Sequence, residues 1–595
     1  MRTHAALGVL TLLFLVAVAT AEGAHTDRAQ MTTLAFIDSE VQRGALDGEQ
    51  AVLLKAYSVY APWNLPEEYR GGLIDKCGNP TIAYIERALP TLSAGVAEEI
   101  RSLRARPTAM TYIDTEHFRI HYDTSGTHKI LNWPDTTYRD AIATAAENSW
   151  TVEVGTLGFR QPPSDAGFPD NGGDGRYDIY VRALSGVYGY CQGEYYEPST
   201  PQNDATSFVV IDNDYAGFGY PNPQDPMKVT VAHEFNHSCQ FAHDVDEDTW
   251  YKEATSTWVE DIVYDSINDY RQYVSSFLNY PYYALDANTT GGLRIYGACI
   301  WNFCLSEVYG NAIVPAIWYQ CEAGTATFTN MNIALQSYGT SLKDEVRRFS
   351  IWNFFTGNRN DGSHYEEGGT WTLAPMQAVY NSYPIVSGAP SASLKPDHLG
   401  CNYIRFSYAS SGLDGLRVAY DGPNMNSSPN AADINYVRLG GTMGYEYGGI
   451  PLNGFGNGEI TVNEWNQKAY VCLVVSNLST SVNDMSYTYS VDEVDTGVED
   501  AVFDLALKAA SPNPFSASTA IAYTVPTGGG LVDITIYDVA GREVRKLVSA
   551  HRAAGDGTAV WDGRDDGGAP VAAGVYFAKL DVDGLTASGK LLMLK

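Results

Sequence analysis

Apolar residues recur at three- and four-residue spacing through "TTLAFIDSEVQRGALDGEQAVLLKAYSVY" and "SAGVAEEIRSLRAR", which predicts helices over much of residues 22–106. From about Tyr112 the period falls to two. "HFRIHYDT" and "RYDIYVRAL" alternate as strands do, and "SFVVIDND" is the continuous apolar run of a strand buried on both faces. Helical spacing returns at residues 229–261 and again in "YGACIWNFCLSEVYG" and "SLKDEVRRFSIWNFFTG". Residues 384–396, "PIVSGAPSASLKP", have the composition of a linker. Short alternating segments between Cys401 and Val491 then predict a β-sandwich, and after the acidic "DEVDTGVED" more strands follow, joined by Gly-rich turns.

A chain of 595 residues exceeds a single core, and about 100–200 residues per domain gives three to five folded units. The net charge of −32 excludes nucleic acid or an anionic membrane as the main partner. Arg2 and His4 precede an apolar run over residues 5–18, and Ala19, Thr20 and Ala21 form a small-residue cleavage site, so residues 1–21 are expected to be a signal peptide and the product secreted or held at a bacterial cell surface. Export permits disulfides among the eight cysteines, with Cys401–Cys472 the first pairing expected and Cys304–Cys321 the second. Arg101, Arg104 and Arg106 before Pro107 form a basic connection expected to be exposed and open to a protease. Residues 22–111 therefore have the layout of a propeptide, an ordinary helical subdomain being the alternative.

The chemistry is concentrated in "VTVAHEFNHSCQFAHDVDEDTWYKEATSTWVED", residues 229–261. His233 and His237 lie one helical turn apart and can aim both imidazoles at one zinc ion, with Glu234 beside them as the general base. Two residues compete as third ligand. His243 has metzincin spacing, but Gln240 stands where that pattern needs a glycine to turn the chain out of the helix. Glu253, on the following helix, is preferred, and Glu260, seven residues on, is expected to support a ligand from behind. Asp170, Asp174 and Asp178 in "DNGGDGRYD" are a candidate calcium site.

Several strings carry resemblances. "KCGNP" is similar to the cysteine-switch segment of matrix metalloproteases, which implies Cys77 as an inhibitory zinc ligand, an ordinary structural cysteine being the alternative. "WYKEATSTW" resembles the glutamate-bearing helices of M1 aminopeptidases and bacterial collagenases, and Tyr296 falls where aminopeptidase-type gluzincins place a tyrosine that steadies the oxyanion; a packing role is the other reading. "LPEEYRGG", "HFRIHYDTSG", "DGRYDIYV", "AHEFNHSCQF" and "YGACIWNF" resemble, in this order, a family of secreted bacterial zinc metalloproteases of the myxobacterial type. Asn513-Pro514-Phe515, Trp561-Asp562-Gly563 and Gly574-Val575-Tyr576 resemble the Ig-like module of flagellar hook-capping proteins and of type nine secretion sorting domains.

The expectation is a multidomain α+β chain. A zincin-like metallopeptidase domain over residues 112–385 is followed by two β-sandwich (Ig-like) domains at 386–495 and 496–595. It would hydrolyse peptide bonds of a protein or peptide substrate with a zinc-bound water activated by Glu234, the last domain serving the secretion machinery or cell surface. The competing reading is a surface adhesin or binding protein with a non-peptidase or inactive zincin domain.

Overall fold

The computed structural model describes residues 31–196, 200–288, 292–438, 447–496, 504–526 and 528–594, so the leader read at residues 1–21 lies outside the described residues. The N-terminal unit is built on a six-stranded sheet. Its strands are β1 (Asp75–Cys77), β2 (Thr111–Asp114), β3 (Phe118–Tyr122), β4 (Tyr177–Arg182), β5 (Val187–Tyr196) and β6 (Ala205–Asp212), in the order β1-β5-β6-β4-β3-β2. β3, β4 and β6 are mutually parallel and lie inside the sheet. The apolar run of β6 follows from burial on both faces, while β3 and β4 alternate and satisfy their buried polar residues in pairs such as His121 with Asp178. α1 (Thr33–Gln42) packs through Ile37 on Leu54 of α2 (Gly48–Tyr60), and on one face of the sheet Tyr180, Tyr190, Phe208 and Val210 pack against α2, α3 (Asn79–Ala88) and α4 (Ala94–Leu103), mainly Val52, Val59, Ile82, Ile85 and Ile100. On the other face Ile120, Ile179, Val209 and Ile211 pack against α5 (Thr137–Trp150), α6 (Gln224–Phe241) and α7 (Thr249–Val263). Helices α8 (Arg271–Leu278), α9 (Arg294–Gly297), α10 (Cys299–Tyr309), α11 (Ile313–Cys321), α12 (Thr327–Ser337) and α13 (Leu342–Trp352) complete that layer. None of the described helices is long and apolar enough to cross a membrane.

Three expectations change. Residues 31–111 do not stand apart as a helical unit, because β1 is an edge strand of the sheet and α2–α4 form one of its two covering layers. The basic connection is not uniformly exposed either: Arg101 is, but Arg106 is buried among Asp165, Asp178 and Glu194, where a fixed cation offsets three carboxylates. All eight cysteines are free and buried. Cys401 and Cys472 lie on adjacent strands but out of register, Cys401 opposite Ser476 and Cys472 opposite Arg405, too far apart along the ladder to bond. Cys304 and Cys321 sit on α10 and α11 and are likewise unpaired.

The second unit is a β-sandwich. One sheet joins β8 (Ile385–Gly388), β10 (Gly415–Asp421), β13 (Asn457–Val462) and β15 (Thr488–Val494). The other joins β7 (Ala378–Tyr380), β9 (Cys401–Ser407), β11 (Asn430–Arg438), β12 (Tyr447–Gly449) and β14 (Lys468–Asn477). Phe406, Leu416, Val418, Leu473, Val475 and Val491 fill the space between them. The "linker" at 384–396 is thus partly a strand, with Ile385 in the core, and the sandwich begins at Ala378. It docks on the first unit through Phe354 and Phe355 against Tyr403 and Val474.

The last unit pairs a sheet of β16 (Ala506–Leu507), β17 (Thr519–Val525) and β20 (Gly555–Trp561) with one of β18 (Gly530–Asp538), β19 (Glu543–Arg552), β21 (Gly574–Val582) and β22 (Leu585–Met593). The motif residues Phe515, Trp561 and Tyr576 meet in its core, with ring centroids 5.5 Å and 5.0 Å apart. Large aromatics at these positions are explained by the area they bury.

Candidate metal centre

Helix α6 is buried from Val229 to Phe241, wedged between the sheet and α7. It can lie this close to the sheet because β5 carries Gly189, where a Cβ would fall 2.8 Å from Thr230 Cγ2, 2.9 Å from Val210 O and 3.0 Å from Glu234 Cγ. One turn apart on α6, His233 and His237 bring their Nε2 atoms to 3.2 Å. From α7, Glu253 places one carboxylate oxygen 3.2 Å from His233 Nε2 and the other 3.4 Å from His237 Nε2. Seven residues along α7, Glu260 Oε1 lies 2.7 Å from His233 Nδ1, so two turns of one helix bracket a single imidazole.

The tautomers follow from the neighbours. Gln240 Nε2 donates to Asn236 Oδ1, Lys252 O and Ser256 Oγ, which fixes its amide oxygen toward His237 Nδ1 at 2.9 Å. His237 Nδ1 therefore donates to Gln240, and His233 Nδ1 to Glu260. With both rings neutral, both Nε2 lone pairs would face each other and a carboxylate with no proton among them. Glu253 Oε1, though 3.4 Å from an imidazole, accepts no hydrogen bond, and Glu234 Oε1 is buried without a partner as well. Converging buried acceptors of this kind require a cation. A proton on His233 supplies it in part. Burial opposes charge on His233, but Glu253 and Glu260 outweigh burial and raise its pKa to about 9. Burial likewise opposes charge on Glu253, yet the two imidazoles hold its carboxyl down at about 2. The donor set of two imidazoles and a carboxylate, backed by a second carboxylate, fits zinc.

Cys77, at the end of β1, completes the cluster: atoms of Cys77, His233, His237 and Glu253 all lie within 4.8 Å of one another. Its Sγ is 3.5 Å from His237 Nε2 and donates to Glu234 Oε2 at 3.5 Å. β1 runs parallel to β5, pairing Asp75 with Val187 and Cys77 with Gly189. At Gly78 a Cβ would strike Tyr190 Cβ and Val59 Cγ1 at 2.9 Å, so only glycine lets the strand seat this deeply. Lys76 Nζ, also buried, is bound by Glu260 at 2.9 Å and by Asp269. Tyr296 on α9 stands with its ring centroid 6.3 Å from that of His233 and packs on Tyr273; burial, with Glu253 and Cys77 nearby, pushes its phenol pKa well up and keeps the proton on.

Two expected sites are not assembled. His243 faces away from the cluster, its Nδ1 2.8 Å from Glu322 Oε1 and its Nε2 accepting from Arg160 N. The reason is Gln240. Held by four polar partners, it stays inside α6, which ends one residue on at Phe241, so His243 falls in the turn after the helix, against Glu322 and Arg160. Asp170, Asp174 and Asp178 do not converge either. Asp178 is occupied by Arg106 and His121, and Asp174 by Arg119 and Arg176; the one possible metal-binding group among the described residues is the Cys77 cluster. Unanticipated participants are Gln240, read only as a departure from the metzincin pattern, and Asp269, which has no local signature in "SINDY". Gln240→Gly is expected to cost about 3 kcal/mol, from lost helix propensity and stranded buried partners, read as a lower denaturation midpoint. Parent-like stability would show that the hub is dispensable.

The FlgD Ig-like domain model matches residues 514–584. No curated protein matches the chain. Among solved structures, PorZ of Porphyromonas gingivalis, an essential surface component of its type-IX secretion system, aligns at 18% identity over 19% of this chain and 14% of that one, with a TM-score of 0.12. Dimeric latent PorU of the same organism aligns at 17% identity over 36% and 20%, TM-score 0.13. The adhesin domain of Epf from Streptococcus pyogenes aligns at 7% identity over 36% and 77%, TM-score 0.14. The chain spans well under two thirds of the two Porphyromonas proteins, and at these TM-scores none of the three bears on its fold.

Proposed function

We propose that the N-terminal α/β unit is a zinc-dependent, zincin-like peptidase, exported and stored in a latent state by its own edge strand. The observation that carries this reading is the convergence of His233, His237 and Glu253 on one point beside Glu234, whose Oε1 is buried without a partner. Zinc held by those three side chains would supply a Lewis acid that polarises a carbonyl and acidifies a water molecule. Glu234 is the base: burial raises its pKa against the pull of the two imidazoles, which suits a group that must take a proton from water and return it to a leaving amine. Tyr296, kept protonated, is the donor to the developing oxyanion. Glu260 holds the His233 tautomer. The β5 edge, once β1 leaves, can receive an extended peptide by backbone pairing. In this reading the C-terminal domain serves export or surface attachment, supported by its likeness to the FlgD Ig-like domain.

Glu253→Ala, made together with Cys77→Ser, is expected to lose both the zinc retained after dialysis and chelator-sensitive casein hydrolysis. Retention of stoichiometric zinc in that variant, with loss in His243→Ala instead, would overturn the ligand assignment. The adhesin reading draws on the two β domains; a zinc-loaded protein that hydrolyses nothing with Cys77 removed would favour it.

A further inference from the structure

The pocket around Lys76 carries an inference about substrate. Lys76 precedes the cluster cysteine on β1, and its ammonium is bound by Glu260 of α7 and by Asp269 just before α8. Two aromatic rings close the pocket, Tyr188 of β5 and Tyr273 of α8, with centroids 5.0 Å and 5.8 Å from Nζ. Asp269 is held in place by Gln272 Nε2 at 2.8 Å. The pocket is therefore built from elements other than β1, and β1 contributes only the cation. It adjoins the centre directly, since Glu260 holds Lys76 with one oxygen and His233 with the other.

If β1 leaves the β5 edge, two buried carboxylates lose their ammonium, a state far more costly than the filled pair. Whatever replaces β1 must restore a positive charge there. A chain paired with β5 in the place of β1 brings a side chain to the position of Lys76, and rings beside the carboxylates add cation–π attraction for an ammonium or guanidinium.

We propose that this pocket selects a lysine or arginine side chain of an extended peptide next to the metal centre, and that Lys76 is its built-in occupant. The inference rests on the peptidase reading only for the ligand being a peptide.

The test uses the full-length chain carrying Lys76→Ala and Cys77→Ser, which removes both anchors of β1. Fluorescent hexapeptides that differ only in lysine or norleucine at one central position are titrated by anisotropy. The lysine peptide is expected to bind at least about tenfold more tightly, the scale of truncating one partner of a buried charge pair. Adding Asp269→Asn, a residue outside the ligand set, is expected to bring the two peptides within about twofold. Equal affinities, or binding of neither by a variant with a native near-ultraviolet spectrum, would overturn the proposal. Should Lys76→Ala fail to fold, Cys77→Ser alone is used, where the lysine peptide must still outcompete its norleucine twin. Cleavage of the same peptides is followed separately. Lysine-selective binding without chelator-sensitive cleavage would sink the peptidase reading and keep the pocket, and cleavage indifferent to lysine would do the reverse.

Discussion

Glu234→Gln, in a Cys77→Ser background, is expected to lower casein hydrolysis by about 10²–10⁴-fold, the range for a positioned general base, while zinc content stays at the parent level. Glutamine keeps the length and volume of the side chain, so the close approach of α6 to Gly189 is undisturbed. What it removes is the proton acceptor. Glu234 is not among the groups that converge on the ion position, whereas His233, His237 and Glu253 are, so metal content and turnover should separate cleanly. Burial holds the Glu234 pKa up, which suits a group that both takes and returns a proton, and the amide can do neither. Zinc lost along with activity would mean that Glu234 holds the metal; activity retained would mean that another group is the base.

Much of this centre was legible before the structure because helical spacing is a geometric rule. His233 and His237 had to share a face, and Glu253 with Glu260 had to share another. Against His243 stood Gln240, whose helix propensity argued against a sharp turn, and for Glu253 stood the likeness of "WYKEATSTW" to gluzincin helices; the structure adds that the Gln240 amide ties together four polar groups of α6 and α7. β6 was readable as an apolar run because it is buried on both faces, and β4 by its alternation. What could not be read was long-range placement. Nothing local in "DKC" announces a strand, since three residues are too few for a period, and its partner Val187 lies far along the chain. Hence the N-terminal segment was expected to stand apart as a helical unit, although its strand completes the sheet and its helices cover one face. The acids of "DNGGDGRYD" are near one another in sequence, but Arg106 and His121 arrive from elsewhere and pair with Asp178, and Arg119 with Asp174. The cysteine pairings failed because shared strands do not fix register.

Cys77→Ser is the second large effect, and its sign is opposite. In the full-length protein the sulfur occupies two positions that the proposed catalysis would need, one beside His237 Nε2 and one on Glu234 Oε2. Burial, with Glu234 and Glu253 close by, raises the thiol pKa well above its ordinary value when no metal is present. A zinc ion would reverse that preference by favouring the thiolate, which it binds far better than an alcohol. Serine therefore cannot hold the fourth position, although Asn79 N, which donates to Sγ at 3.3 Å, can still donate to its hydroxyl and keep β1 folded. Chelator-sensitive casein hydrolysis by full-length Cys77→Ser is expected to exceed the parent's by at least about tenfold, equivalent to removing about 1.4 kcal/mol of preference for the closed state. Cobalt-substituted parent should display a sulfur-to-metal charge-transfer band that the variant lacks, which reads the ligand independently of turnover. Cys191→Ser is the control, since that buried thiol faces Ser238 rather than the cluster. Equal activity in parent and Cys77→Ser, with no charge-transfer band in either, would leave Cys77 as a core cysteine and β1 as an ordinary edge strand. A band without a gain in turnover would instead place the block in Lys76 and the rest of β1, which must then leave the β5 edge before any peptide can enter.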